Sequence, residues 1–172
     1  IGRLILGDLT GNGGYIFTGG VPDKKFVFSN NPFNASGISI LKRSGGNDDI
    51  QADIEMNGGT KGLDVTVLTG GSSLTLSGRL TTGVSGNAGL NKYGGGTLRI
   101  TNDLSGTIVS QALALAQSGN VPGAYINAYA GTLESGASNY TLSDGTVWSS
   151  VFGAGGTSGT TIGLYGAQLN LR

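Results

Sequence analysis

Four acidic side chains, Asp48, Asp49, Asp53 and Glu55, crowd into one short stretch of the chain. Enzymes that cleave polysaccharides use grouped carboxylates as general acid, base or nucleophile. On an extended strand Asp53 and Glu55 would share one face, roughly 7 Å apart by the strand rise. The flanking sequence carries no aromatic platform or partner base, whereas Lys42, Arg43 and Lys61 are placed to neutralise the group. A polar outer face is therefore the expected role, and the chain is not expected to be an enzyme. Histidine and cysteine are both absent. That removes thiolate and imidazole chemistry, the commonest zinc ligands and the Ser-His and Cys-His nucleophile pairs.

Three further fragments imitate ligand sites. SGGNDDIQ (Ser44 to Gln51) has two glycines and an aspartate of a calcium-binding nonapeptide. It occurs once and lacks the middle glycine at the right spacing, while calcium needs six or more oxygens, usually shared between stacked copies, so a solvated turn is expected. Gly94 to Gly96 precede Thr97 as in a phosphate loop, but no Gly-Lys-Ser/Thr or full GxGxxG follows. In a chain with 34 glycines among 172 residues such fragments arise by chance. The aromatic residues are the better candidates. Tyr125 with Tyr129, or Trp148 with Phe152 and Tyr165, can stack on sugars, although such rings more often cap or fill a core. The candidate ligand or assembly surface is Tyr125, Tyr129, Trp148 and Leu113; no catalytic, metal-binding or cofactor-binding residue is assigned.

The elements that must position these residues follow from composition. Glycine is far above its usual share of about 7%, and only 3 prolines are present. The glycines lack a three-residue period, and β-forming runs interrupt them, which excludes collagen and Pro-rich linkers and favours short strands joined by tight corners. Charged residues make up 12%, ten basic against ten acidic. This balance leaves no electrostatic footprint for nucleic acid or anionic membrane. A surface rich in Ser, Thr, Asn and Gly suits an extracellular protein. No apolar run reaches the roughly 18 residues of a membrane span. The chain starts at Ile1 without an initiator Met or signal peptide, so a processed end or a cut within a longer polypeptide is expected.

Strand-like runs recur along the whole length. They are IGRLILGDL at the start, Tyr15 to Phe17, Lys25 to Phe28, Gly37 to Lys42, Asp49 to Met56, Leu63 to Leu68 and Ser73 to Gly78. Thr97 to Ile100, Tyr125 to Tyr129, GTLES, Thr146 to Trp148 and the closing TIGLYGAQLNLR complete the set. Several share a T/S-L-x-L/I signature: Leu74 and Leu76, Leu98 and Ile100, Leu169 and Leu171. Equivalent apolar positions can stack rung above rung, each rung needing its neighbours to bury that face. One segment departs from the pattern. Thr107 to Gly119 places Val109, Ala112, Leu113 and Ala116 at helical spacing and ends at a glycine. A single helix is expected there, although Leu113 and Leu115 also alternate as in a strand.

SLTLSG, GLNKYGGGTLRITN (Gly89 to Asn102) and INAYAGTLESG (Ile126 to Gly136) follow in order. Together they resemble the autotransporter-associated β-strand repeat of bacterial surface proteins. Gly89, Leu90, Lys92, Gly94, Gly96, Thr97, Leu98, Asn127, Gly131, Thr132 and Leu133 fall on its pattern. The DIQADIEMNGGTKGLDVTVLTGG upstream is similar to the segment that often precedes that unit, so the likeness covers Ile50 to Gly136. The expected insert at 107–119 replaces what is a short linker in the family. The resemblance implies an all-β chain: a right-handed parallel β-helix outside a bacterial cell, one solenoid segment over 1–172 that belongs to a longer array. The expected function is structural, as a building block of a surface fibre or autotransporter passenger. The partners would be further copies of itself, stacked head to tail through uncapped ends, and cell-surface glycans. An adhesin or carbohydrate-binding passenger is the alternative, and a polysaccharide-degrading enzyme stands behind it.

Overall fold

A computed structural model describes residues 2–7, 14–18, 25–29, 38–57, 62–78, 80–82, 89–101, 125–135, 140–141, 147–148 and 161–171. Strands are numbered in chain order. The first sheet holds six parallel strands, β1 (Arg3–Leu6), β4 (Ile38–Lys42), β7 (Leu63–Val67), β10 (Gly89–Tyr93), β12 (Tyr125–Ala128) and β16 (Thr161–Leu164), side by side in that order. The second sheet also holds six: β2 (Ile16–Phe17), β5 (Asn47–Ile50), β8 (Ser73–Leu76), β11 (Thr97–Ile100), β13 (Thr132–Ser135) and β17 (Gln168–Leu171). A third parallel sheet joins β3 (Lys25–Ser29), β6 (Asp53–Asn57) and β9 (Leu80–Thr82). The remaining pair, β14 (Tyr140–Thr141) and β15 (Val147–Trp148), is antiparallel. From β1 to β9 the chain thus visits the first sheet, the second and then the third in each of three passes; the described strands β10, β11, β12, β13, β16 and β17 go on extending the first two sheets.

This pairing makes every position a column. Leu74, Leu98, Leu133 and Leu169 are consecutive partners in the second sheet, and Leu4, Ile40, Val65, Lys92 and Ala128 are consecutive partners in the first. The T/S-L-x-L alternation turns the leucines to one face, and Leu74, Leu76, Leu98 and Leu133 are fully buried. Phe28 and Ile54 join them from the third sheet, so one apolar cluster draws on all three parallel sheets. Each such side chain contributes about 1.5–3 kcal/mol by leaving water. Stacking is what makes that burial available to strands of two to five residues.

Columns hold their register while the passes differ in length. Asp64 and Asn91 sit 27 residues apart, but Asn91 and Asn127 sit 36 apart, in the same column. The step from the first sheet to the second is three residues long at 94–96, 129–131 and 165–167, and longer in the earlier passes. It contains a left-handed glycine in every pass: Gly7, Gly46, Gly71, Gly94, Gly131 and Gly166, with φ from +68° to +108°. Gly94 shows why. Its φ is +79°, and a Cβ there would stand 2.2 Å from the Val67 carbonyl oxygen of the preceding corner.

Several expectations need correction. Asp49 to Met56 is not one strand: the backbone N–H groups of Gln51 and Ala52 both bond the Phe17 carbonyl, at 2.9 and 3.0 Å, and the chain turns there between β5 and β6. TIGLYGAQLNLR likewise divides at Tyr165 to Ala167 into β16 and β17. β9, β10 and β14 have no counterpart among the strand-like runs. The described residues contain no helix, and the segment 107–119 lies outside them.

Candidate functional site

Outward-facing positions of the first sheet form two neighbouring columns. One runs Ser39, Asp64, Asn91, Asn127 and Gly163; the other runs Leu41, Thr66, Tyr93, Tyr129 and Tyr165. In the first column, Asn91 Nδ2 donates to Asp64 Oδ1 at 2.9 Å, and Asn127 Nδ2 donates to Asn91 Oδ1 at 3.4 Å. In the second, three phenol rings stack. Tyr93 and Tyr129 have centroids 4.9 Å apart with planes 4° from parallel; Tyr129 and Tyr165 are 5.0 Å apart at 15°. These distances are the spacing of paired strands, roughly 4.8 Å. The pairing of β10, β12 and β16 therefore sets the stack directly.

Ring orientation decides what this face can do. Tyr129 has a neighbouring ring against each of its faces, and only its edge looks outward, although 38% of the residue is exposed. A sugar that stacks on an aromatic side chain needs the ring's face. The Tyr129 face is occupied by its own neighbours. Tyr165 is 61% exposed.

The predicted surface residues are only partly brought together. Tyr125 belongs to β12, with Gly89 and Thr161 as its backbone partners, and Trp148 belongs to β15, opposite Tyr140. Leu113 lies outside the described residues. The partners of Tyr129 are Tyr93, which the sequence reading overlooked, and Tyr165, which it grouped with Trp148. The available signal was an interval: Tyr93, Tyr129 and Tyr165 recur at the same 36-residue spacing as Asn91 and Asn127.

The acidic group is dispersed by the fold. Asp48 stands in the leucine column and is fully buried with Lys42; Lys42 Nζ donates to Asp48 Oδ2 at 2.8 Å and to the Gly45 carbonyl at 3.0 Å. Asp48 Oδ1 accepts the Tyr15 backbone N–H at 2.8 Å. In SGGNDDIQ, the lysine ammonium thus occupies oxygens that a calcium ion would need. Asp49 instead faces outward and accepts from Gln51 Nε2 and Ser77 Oγ. Asp53 and Glu55 flank buried Ile54 on β6, as the strand alternation requires, and Glu55 pairs with Lys25. Arg99 Nε donates to Glu134 Oε1 at 2.6 Å, across β11 and β13. Among the described residues no group of three or more acidic side chains is arranged to hold a metal ion.

A second buried cation went unnoticed in the sequence. Lys92 stands in the apolar column between Val65 and Ala128 and is fully buried. Its Nζ donates to the carbonyls of Tyr93 (3.2 Å), Gly94 (2.6 Å) and Ala130 (2.7 Å), the last from the next corner. Burial disfavours the ammonium and lowers its pKa from 10.5 to about 8. The glycine corner at Gly94 to Gly96 thus turns its carbonyls onto a lysine of its own chain. Comparison with known proteins finds no matching family model, no matching curated protein and no matching solved structure.

Proposed function

We propose that the chain is a segment of a right-handed parallel β-helix that serves as a structural building block outside a bacterial cell, within a surface fibre or an autotransporter-like passenger. The carrying observation is that polar side chains are engaged in holding one pass to another. Arg99 holds Glu134, Lys25 holds Glu55, Asn91 and Asn127 continue from Asp64, and Lys92 reaches the following corner. A scaffold needs this arrangement; a binding cleft would need polar groups aimed at an empty space. The repeat likeness over Ile50 to Gly136 supports the same reading, as does a column pattern that extends by adding passes. Head-to-tail association of copies, or continuation in a longer polypeptide, would turn such columns into a rod.

Electron microscopy of the native material tests this reading. Fibres or elongated rods are expected, with strands perpendicular to the long axis and a repeat of roughly 4.8 Å in fibre diffraction. Compact particles without that repeat would overturn it. Surface proteolysis of intact producing cells checks the location: release of the chain is expected, and full protection would place it elsewhere.

A further inference from the structure

We infer that the Tyr93, Tyr129 and Tyr165 column is a site of oxidative cross-linking, at which a carbon–carbon bond joins two tyrosine rings from neighbouring passes of the same chain. Three observations carry this. The rings are paired in register and nearly parallel at 4.9 and 5.0 Å, so each phenol lies against another phenol. Tyr129 and Tyr165 are exposed at 38% and 61%, which opens their edges to electron transfer. The stack is fixed by the pairing of β10, β12 and β16 rather than by side-chain mobility. Holding two reacting groups together in this way replaces a bimolecular encounter with a local one.

The chemistry balances with a peroxide as oxidant, used through a haem peroxidase. Each of two phenols gives up one electron and one proton, leaving two tyrosyl radicals. Hydrogen peroxide takes up the two electrons and two protons and departs as two molecules of water. The radicals join through ring carbons ortho to their oxygens, and each displaced ring hydrogen moves to its own phenol oxygen. The product has lost two hydrogen atoms overall. Tyr129 is the shared partner: it can join Tyr93 or Tyr165, whereas those two are separated by the Tyr129 ring. Tyr15 lies outside this stack, with Phe17 as its ring neighbour.

The full chain is treated with horseradish peroxidase and hydrogen peroxide at high dilution, and the monomer fraction is digested and mapped by mass spectrometry. Linked peptides joining Tyr129 to Tyr93 or Tyr165 are expected, with dityrosine fluorescence whose yield per chain does not change on further dilution. Tyr129→Phe, which keeps the ring in the stack, should abolish the intrachain link; Tyr93→Phe should leave only the Tyr129–Tyr165 product. Circular dichroism of the variants checks that the fold is retained. Dityrosine found only in covalent dimers, an unlinked monomer, or an undiminished yield in folded Tyr129→Phe would overturn the proposal.

Discussion

Lys42 and Lys92 are both fully buried at the corner between the first and second sheets, yet they are satisfied in opposite ways. Lys42 meets a full counter-charge, because Asp48 replaces a leucine in the column that continues as Leu74, Leu98 and Leu133. The contacts described for Lys92 Nζ are all carbonyl oxygens, two from its own corner and one from the next. One lysine is held by a charge that itself must be buried. The other is held by dipoles that the glycine corner presents without any further side chain. The difference teaches that backbone turned by left-handed glycines can stand in for an anion, at the cost of a lowered lysine pKa.

Breaking the Lys42 arrangement should have the largest effect. Asp48→Leu leaves a buried ammonium with one carbonyl, and a loss of about 3–5 kcal/mol is expected by denaturant unfolding. The paired change Lys42→Met with Asp48→Leu, which completes the leucine column, should recover most of that loss. If the double variant is as unstable as the single one, the leucine column is not the determinant of this corner.

Lys92 sharpens the contrast through pH. Its folded pKa, about 8, lies below the unfolded value of 10.5, so between these values the unfolded chain binds more protons. Stability therefore rises with pH across that window. Below pH 8 the burden of the buried charge is fully present; it is relieved as pH approaches 10.5. The wild-type chain should gain roughly 3 kcal/mol across the window relative to Lys92→Met, from about 1.4 kcal/mol per pKa unit. Parallel pH profiles would mean that Lys92 keeps an ordinary pKa.

The smallest effect belongs to a corner with no lysine. Gly71 has φ +81° and no atom within 4 Å of the place a methyl group would occupy, so Gly71→Ala should cost only the left-handed strain of about 1–2 kcal/mol. At Gly94 the same change adds a collision with the Val67 carbonyl. Thermal unfolding of the two variants side by side separates strain from crowding; equal costs would refute the distinction.

The strands were legible where apolar alternation ran unbroken, as in LDVTV and SLTL, because burial on one face imposes a period of two. Turning points without glycine were not. Gln51 and Ala52 bend the chain through bonds to Phe17, a partner 34 and 35 residues away that no local pattern announces. The role of the glycines as corners was readable, but which of them take a left-handed φ was not. Lys42 was expected to neutralise the acidic group and does so, through one aspartate and in the interior rather than on a face. The tyrosine stack stayed hidden because its partners stand one full pass away, and Lys92 because its partners are backbone carbonyls, two local and one a pass away, which no side-chain pattern marks. Tyr129 was singled out, but a stack is a property of three passes.

The unequal pass lengths have a consequence for how such a chain can change. In-register partners one pass apart are separated by as few as 24 positions, Ser73 and Thr97, and by as many as 36, Asn91 and Asn127, while the first two sheets stay paired throughout. A pass can thus differ in length from its neighbour and still share every column with it, because register here is set by strand pairing and not by a fixed repeat length.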